Sequence, residues 1–304
     1  MIRFSTRPPS VSVVMPVYNG GQYLAEAMNS ILGQSFRDFE FIIIDDGSTD
    51  SSVEIIRSFK DKKIVFHQNQ SNIGNYASRN IGIRIARGRY ICVMDADDIS
   101  FPHRLEKQFA YMEAHSDVGI CGSFIQLLPS RITPTFITDD ELLKVAFLCN
   151  NHCSHPSLIM RKSYLDKFEL MYNEAYYYAA DFDICASGFQ HFKVHNLSAI
   201  LLQYRRHKGQ ISTAKFAEQQ KFADQIRIKQ LTENLGFGIT EIPVSLHLQL
   251  MRREPIDPIK QIAVHRWINA ICDKNRLCHY YEENRLNQFL YRLMHYCTIS
   301  NEKS

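Results

Sequence analysis

Short apolar runs alternate with helix-like segments over the first part of the chain. The runs are rich in β-branched residues, as buried strands are, and they span residues 11–16, 39–44, 63–66 and 90–94. The segments between them repeat apolar residues at helical spacing, over residues 23–32, 51–59 and 76–86. Helices that separate successive strands are typical of a mostly parallel sheet covered by helices. The sequence therefore predicts an α/β fold with a Rossmann-like sheet.

The alternation becomes less regular further along the chain and stops near Ser212. Additional strands are predicted at residues 118–124, 157–160 and 194–204, and a loop or edge hairpin at residues 127–138. Only helical patterns follow, at residues 217–235, 258–272 and 280–296. The sequence thus predicts two regions: residues 1–213, which contain the sheet, and residues 214–304, a C-terminal helical appendage.

The composition limits the location and the partners of the protein. A net charge of +3 on 304 residues is too small to indicate a nucleic-acid partner. The eight cysteines form no Cys-x-x-Cys pair, so we expect reduced thiols rather than disulfides or a zinc site. Residues 1–10 lack the apolar core of a signal peptide, and no apolar stretch is long enough to span a bilayer. We therefore expect a cytoplasmic protein, either soluble or peripheral at the membrane.

Three carboxylates directly follow the apolar run at residues 90–94. Asp95, Asp97 and Asp98 are so close in sequence that they would repel one another, and burying them unpaired would be costly. A hard divalent cation such as Mg²⁺ or Mn²⁺ would remove that cost. Ligands of open α/β sheets bind beyond the carboxyl ends of the strands, so metal-bridged phosphates are one interpretation of this edge. The other is an acidic turn before the helix that begins near Pro102.

Two further predicted strands end in residues that could bind a nucleotide. Asp45 and Asp46 follow the second strand, and either carboxylate could accept a hydrogen bond from a base or a ribose. Tyr18 follows the first strand, where its ring could stack on a base. The alternatives are an aspartate that caps a turn and a tyrosine that packs on its neighbours.

The usual phosphate-binding loops are missing from the sequence. No Gly-x-x-x-x-Gly-Lys-Ser/Thr motif occurs, and no Gly-x-Gly-x-x-Gly follows the first strand. A carboxylate-bound metal together with a basic residue could hold phosphates instead. Arg79 is the first candidate for that residue, followed by Arg205 or Arg206, and the alternative for each is a solvated surface arginine.

Two polar motifs in the second half of the chain have more than one interpretation. Asp181 opens a predicted helix, so it is either a general base beside a substrate hydroxyl or a helix cap. His152, Cys153 and His155 are similar to a soft-metal site, but acceptor-binding or structural histidines are the preferred interpretation. His207 follows the last predicted strand and is either a metal ligand or part of a surface run.

Taken together and in order, these motifs resemble the inverting family 2 glycosyltransferases of the GT-A fold. The resemblance covers roughly residues 10–213. The matching segments are residues 13–19, 45–50, 72–74, 77–80, 88–91, 94–98, 155–157, 180–183 and 204–207. No single segment is specific, whereas the ordered set is.

The resemblance implies a role for each matching residue. The nucleotide-sugar would contact Pro16, Val17, Tyr18, Asp45, Asp46, Arg79, Asp95 and Ala96. Asp95 and Asp97 would form the family's Asp-x-Asp motif. Asp97 would be the main ligand of Mn²⁺ or Mg²⁺, Asp95 would contact the ribose or the metal, and His207 would be a further metal ligand. Asp181 would be the catalytic base. The chain departs from the family pattern at Ala180, where Glu is usual, and at Cys185, where an aromatic residue is common.

The activity expected from the resemblance is sugar transfer from a nucleoside-diphosphate sugar, with UDP-sugar the commonest donor, to a hydroxyl of a glycan or lipid-linked glycan. Such a reaction belongs to polysaccharide or cell-surface glycan synthesis. A sugar nucleotidyltransferase is disfavoured because residues 16–21 contain no Arg or Lys. A non-catalytic nucleotide-sugar-binding protein remains an alternative. The C-terminal helices mix basic and aromatic residues, so acceptor, membrane-surface and oligomer contacts are open beside ordinary core packing.

Overall fold

The computed structural model describes residues 7–207, 210 and 215–299. The chain divides into two compact units. The first, which we call the sheet unit, comprises residues 1–136 and 153–214, and the second, the helical unit, comprises residues 137–152 and 215–304. The structure differs from the predicted division in one segment, because residues 137–152 belong with the C-terminal helices rather than with the sheet.

Among the described residues, the sheet unit contains eight strands in one sheet. They are β1 (Val11–Val17), β2 (Phe39–Asp45), β3 (Ile64–Gln68), β4 (Tyr90–Val93), β5 (Ile99–Ser100), β6 (Val118–Leu128), β7 (Ile159–Arg161) and β8 (Lys193–Arg205). Their order across the sheet is β3-β2-β1-β4-β7-β6-β8-β5. Strands β3, β2, β1 and β4 are parallel to one another. Strand β7 is antiparallel to β4 and β6, and β5 is antiparallel to β8.

Six α-helices accompany this sheet within the described part of the chain. They are α1 (Leu24–Leu32), α2 (Ser52–Ser58), α3 (Asn75–Ile85), α4 (Arg104–Ala114), α6 (Lys162–Lys167) and α7 (Ala180–Gly188). Helix α1 shows why the sequence pattern was informative: its buried residues Leu24, Ala27, Met28 and Ile31 follow a spacing of three and four, which places them on one face.

The parallel register brings the predicted site segments to one edge of the sheet. Val17 at the end of β1 pairs with Asp45 at the end of β2, and β4 runs parallel to β1 on its other side. The residues that follow these three strands therefore share the carboxyl edge. Helix α3 packs closely on β1, since a Cβ at Gly82 would lie 2.4 Å from Val14. This close approach fixes the helix that carries Arg79.

Two strands differ from the predicted elements, because pairing with distant parts of the chain determines them rather than the local sequence. Strand β6 continues through Leu128, although a loop was expected from residue 127, because Ile125 and Leu127 alternate into the core. Strand β5 was not predicted, since two residues form a strand only by pairing with Gln203 and Leu202 of β8.

The helical unit is built from five helices within the described residues. They are α5 (Asp140–Ala146), α8 (Phe216–Leu235), α9 (Val244–Met251), α10 (Gln261–Cys278) and α11 (Glu283–Ile299). Their core buries Trp267, Tyr281 and Leu290, as the alternative of core packing expected, whereas Tyr291 and Tyr296 are exposed. No helix among the described residues has the length and apolarity needed to cross a membrane.

Candidate active site

Three carboxylates gather directly after β4. One oxygen from each of Asp95, Asp97 and Asp98 lies within 4.8 Å of the others. Asp98 is buried, and its Oδ1 accepts a hydrogen bond from the Arg205 backbone N–H at 2.9 Å. Its Oδ2 is also buried and has no hydrogen-bond partner among the described residues. Sequence reasoning had included Asp98 in the acidic group but had not named it among the metal ligands.

The electrostatics of this cluster favour a cation. Burial and the charges of Asp95 and Asp97 raise the pKa of Asp98 well above its usual value. Burial also raises the pKa of Asp95, against the opposing effect of Arg79. Three close carboxylates with a spare buried oxygen are a donor set that suits Mg²⁺ or Mn²⁺. The residues present therefore fit the predicted metal, and among the described residues no other group of His, Cys and carboxylates has such geometry.

The end of β8 brings His207 to this cluster. Because β8 pairs with β5, which follows the carboxylates, the chain after Arg205 returns to the same place. Nε2 of His207 lies 2.8 Å from Oδ2 of Asp97. Arg205 donates to the Asp97 carbonyl at 2.9 Å and to Glu26 at 2.5 Å, so its guanidinium is already occupied.

Arg79 is a buried residue, not the surface arginine of the alternative interpretation. Its side chain is 1% exposed and forms an ion pair with Asp95. It also donates to the Met94 carbonyl at 3.3 Å. Arg79 therefore holds the first carboxylate of the cluster in place.

The two aspartates after β2 differ in what they bind. Asp46 accepts hydrogen bonds of 2.9 Å from the Asn69 amide and from the backbone N–H groups of Ile73 and Gly74, so it fixes the loop at residues 69–74. Asp45 accepts from the Ser48 N–H at 3.3 Å, and its buried Oδ1 has no partner among the described residues. Only Asp45 thus offers a spare acceptor.

The remaining residues predicted to contact the nucleotide lie at the same edge but differ in exposure. Pro16 and Val17 are buried in β1, whereas Tyr18 is 50% exposed. Ala96 is half-buried between Asp95 and Asp97. Of this group, Tyr18 is the side chain with surface available for stacking.

Asp181 lies in the first turn of α7 and is not its cap. The N-cap position is Ala179, which makes no side-chain capping bond. Oδ1 of Asp181 accepts a hydrogen bond from the Tyr76 hydroxyl at 2.9 Å. Burial and the charge of Asp181 raise the pKa of Tyr76 well above its usual value, so the hydroxyl remains a donor.

Tyr76 belongs to an aromatic group that the sequence did not reveal as such. Its ring stacks on Tyr172, with 5.2 Å between the centroids, and the Tyr172 hydroxyl lies 2.8 Å from Nε2 of His155. Burial and Arg79 lower the pKa of His155 well below its usual value, so this imidazole is neutral. The sequence is rich in tyrosine before Asp181, but it does not show which residues those rings contact.

Comparison with known proteins identifies the family. The sequence model described as glycosyl transferase family 2 matches residues 12–136. An uncharacterized glycosyltransferase of Methanocaldococcus jannaschii is 37% identical over 209 residues, which cover 65% of this chain and 71% of that protein. The chain belongs to glycosyl transferase family 2.

A second relative carries a specific name. The Escherichia coli protein WfaP, a UDP-Glc:α-D-GlcNAc-diphosphoundecaprenol β-1,3-glucosyltransferase, is 30% identical over 210 residues, covering 68% of this chain and 82% of WfaP. Both relatives agree with the family predicted from the ordered motifs.

Solved structures confirm the predicted GT-A fold. The S. aureus TarS fragment 1–349 in complex with UDP-GlcNAc has a TM-score of 0.60 at 18% identity, covering 95% of this chain and 88% of that one. The mannosyltransferase PcManGT of Pyrobaculum calidifontis, in complex with GDP-Man and Mn²⁺, has a TM-score of 0.56 at 13% identity, covering 97% and 88%. Similarity at these identities establishes the fold.

The two positions at which the chain departs from the family pattern are both buried. Ala180 and Cys185 are 0% exposed. A hydrogen bond between the thiols of Cys185 and Cys153, together with burial, raises the pKa of Cys185 well above its usual value. Cys153 contacts Cys185 and His155 contacts Tyr172. Among the described residues, neither belongs to a group of three possible metal ligands.

Proposed function

We propose that this family 2 member is a metal-dependent, inverting glycosyltransferase. It would move a hexosyl group from a UDP-sugar to a hydroxyl of a glycan or lipid-linked glycan. The observation that carries this proposal is the acidic cluster of Asp95, Asp97 and Asp98 at the carboxyl edge of the sheet, with Asp181 close enough to raise the pKa of Asp95.

The donor nucleotide would bind where β1 and β2 end. The spare Oδ1 of Asp45 is a hydrogen-bond acceptor suited to the ring N–H of uracil, and the exposed ring of Tyr18 could stack on the base. Asp46 would act indirectly, since its carboxylate holds the neighbouring loop. A uridine donor is also supported by WfaP, which is named for UDP-Glc.

The metal would be held by Asp95, Asp97 and His207, with Asp98 beside them. When bound, Mn²⁺ or Mg²⁺ neutralises charge on the leaving nucleoside diphosphate. Arg79 would keep Asp95 in position through its buried ion pair. Arg205 would keep the Asp97 backbone in position through its hydrogen bond to the carbonyl.

Asp181 would act as the base. It would take the proton of the acceptor hydroxyl while that oxygen forms a bond to the anomeric carbon and the bond to the diphosphate breaks. A single displacement of this kind inverts the anomeric configuration, as in inverting glycosidases. The hydrogen bond from Tyr76 would orient the carboxylate for the transfer.

The acceptor and the location of the enzyme are part of the same proposal. WfaP is named for an undecaprenol diphosphate-linked sugar, which supports a lipid-linked glycan acceptor in polysaccharide or cell-surface glycan synthesis. We place the enzyme in the cytoplasm, with peripheral membrane contact through the helical unit. The exposed residues Ile259 and Ile262, next to Lys260 and Arg266, are the best candidates for that contact. Oligomer contacts through this unit remain an alternative.

Thermal unfolding with nucleoside diphosphates tests the donor site. A ligand that binds only the folded state raises the melting temperature, so UDP with Mn²⁺ should raise it and UDP without metal should raise it much less. Asp97→Ala should remove the metal-dependent part, whereas Asp166→Ala, at an exposed ion pair with Lys162, should not. If no nucleoside diphosphate changes the melting temperature of the unaltered protein, the proposal is wrong.

A further inference from the structure

A cavity of about 620 Å³ lies in the helical unit, made entirely of residues from that unit. This volume is in the range of small-molecule sites. Its basic side chains are Lys221 and Arg227 of α8 and, at the end of α9, Arg252 and Arg253. Phe216 and Met251 supply apolar surface. The cavity is thus lined by positive charge and by apolar groups.

Two of the four basic residues are neutralised by neighbouring carboxylates. Arg227 is buried and pairs with Asp224 at 2.6 Å, and it donates to the Cys149 carbonyl at 2.7 Å. Arg252 also pairs with Asp224 and lies 3.4 Å from Glu254. The charges of Asp224 and Glu254 therefore balance those of Arg227 and Arg252.

The other two basic residues leave an excess of positive charge. Within the described part of the helical unit, neither Lys221 nor Arg253 forms an ion pair, and the nearby Glu218 pairs with Lys215 at 3.2 Å. Both side chains are exposed, so they can move toward a ligand. Arg253 has a left-handed backbone, with φ of 59°, which turns the chain at the end of α9.

The positive charge at the cavity also affects the pKa of a histidine in its wall. Burial, together with the positive charge of Arg253, lowers the pKa of His152 to about 4. His152 is therefore neutral near pH 7 and adds no charge. The net charge at the cavity is then two positive units, which an anion would balance.

We propose that this cavity binds a phosphate- or diphosphate-bearing ligand through Lys221 and Arg253, with Arg227 and Arg252 as a fixed basic wall. Phosphate oxygens accept hydrogen bonds from both lysine and arginine, and arginine can bind them in a bidentate way. The apolar wall at Phe216 and Met251 would suit an organic substituent on the phosphate. This site goes beyond the proposed sugar transfer, because it requires neither the acidic cluster nor a nucleotide.

Calorimetric titration of the full chain tests the site. Inorganic pyrophosphate is the probe, in low salt with EDTA, so that neither a metal nor a nucleotide is present. We expect saturable binding of one equivalent to the unaltered protein. Lys221→Glu with Arg253→Glu should weaken it by about tenfold or more, because two attractive charges become repulsive.

A matched control separates this site from general attraction of anions. Lys260→Glu with Arg266→Glu changes the net charge equally, at exposed positions of the same unit outside the cavity, and should change the affinity by less than about twofold. A milder pair, Lys221→Gln with Arg253→Asn, keeps the test valid if the first pair fails to fold, because Asn tolerates the left-handed backbone.

Geranyl diphosphate distinguishes the two sources of such a ligand. Tighter binding than pyrophosphate would indicate a lipid-like phosphate that uses the apolar wall, and equal binding would indicate a free phosphate compound. The absence of saturable binding for both probes would overturn the proposal, as would equal weakening by the cavity pair and the control pair. Neither result would affect the test of the donor site, which uses metal and nucleotide.

Discussion

The carboxyl edge of the sheet unit and the Arg227 network of the helical unit differ in how their buried charged groups are paired. At the carboxyl edge of the sheet, Asp45 and Asp98 each have a buried oxygen without a partner among the described residues. In the helical unit, the buried Arg227 is bonded to Asp224, to Gln220 and to the Cys149 carbonyl. A buried polar group without a partner costs stability, and removing one partner of a paired buried group leaves the other unpaired. The contrast indicates that the edge is kept for a ligand and that the Arg227 network is kept for the fold.

The largest expected effect is on turnover, at the edge of the sheet. Asp181→Asn should lower kcat by about a thousandfold, because the amide cannot take the acceptor proton. Release of nucleoside diphosphate in the presence of donor and acceptor measures this rate. Donor binding, followed by thermal shift, should persist, and the exposed Asp166→Asn is the control. A kcat above a tenth of that of the unaltered protein would show that Asp181 is not the base.

The second effect is on stability, in the helical unit. Arg227→Met should lower the free energy of unfolding by about 2–4 kcal/mol, since Gln220 and the Cys149 carbonyl lose their donor. Urea denaturation measures this change. Arg266→Met, at an exposed position, should stay within about 0.5 kcal/mol. Equal results for the two variants would contradict the structural role of the Arg227 network.

The third effect depends on pH and concerns His247 of α9. Its Nδ1 accepts a hydrogen bond from the Trp267 indole at 3.2 Å, and burial lowers its pKa to about 3. The unfolded chain binds a proton near pH 6.5, so the folded state loses stability as pH falls from 6.5 toward 3, by up to about 1.4 kcal/mol per unit.

Replacement of this histidine isolates its contribution. His247→Gln should reduce that slope, as measured by urea denaturation at pH 6.5, 6.0 and 5.5. The absolute stability of the variant is not the readout, because the Trp267 contact changes as well. A slope identical to that of the unaltered protein would show that His247 is not buried in its neutral form.

The smallest expected effect is on the free energy of unfolding, at the carboxyl edge of the sheet. Without metal, Asp98→Asn should raise the free energy of unfolding by about 1 kcal/mol, since it removes a buried charge that Asp95 and Asp97 repel. The oxygen of Asn can still accept from the Arg205 N–H. Urea denaturation in EDTA measures the gain, and a loss of stability would mean that the Asp98 charge is already compensated.

The sequence predicted those parts of the fold that follow from local periodicity. The four parallel strands and α1 were evident from spacing alone, and the carboxyl edge followed because parallel strands end together. The assignment of residues 137–152 to the helical unit could not be predicted. Helix α5 has an ordinary amphipathic pattern, and only tertiary contacts determine which core its apolar face joins.

The candidate site was predictable as a set of residue types but not as a set of contacts. Asp95 and Asp97 were predicted because carboxylates after an apolar run are conspicuous, whereas Asp181 was singled out because it opens a predicted helix. The carboxylate of Asp46 accepts hydrogen bonds from the loop at residues 69–74, whereas Asp45 keeps an oxygen without a partner among the described residues. Because the two residues are adjacent and identical, the sequence could not predict this difference. The hydrogen bond of Tyr76 to Asp181 joins residues 105 positions apart, which no local pattern encodes.

Residues 137–152 belong to the helical unit, and this has a consequence for truncation of the chain. A chain that ended at residue 213 would still contain α5, whose following residues Leu148 and Cys149 are buried in a core built by later helices. Those apolar side chains would then face water and promote aggregation. The helical unit is therefore not a removable appendage, and a shortened enzyme would have to replace residues 137–152 with a polar linker.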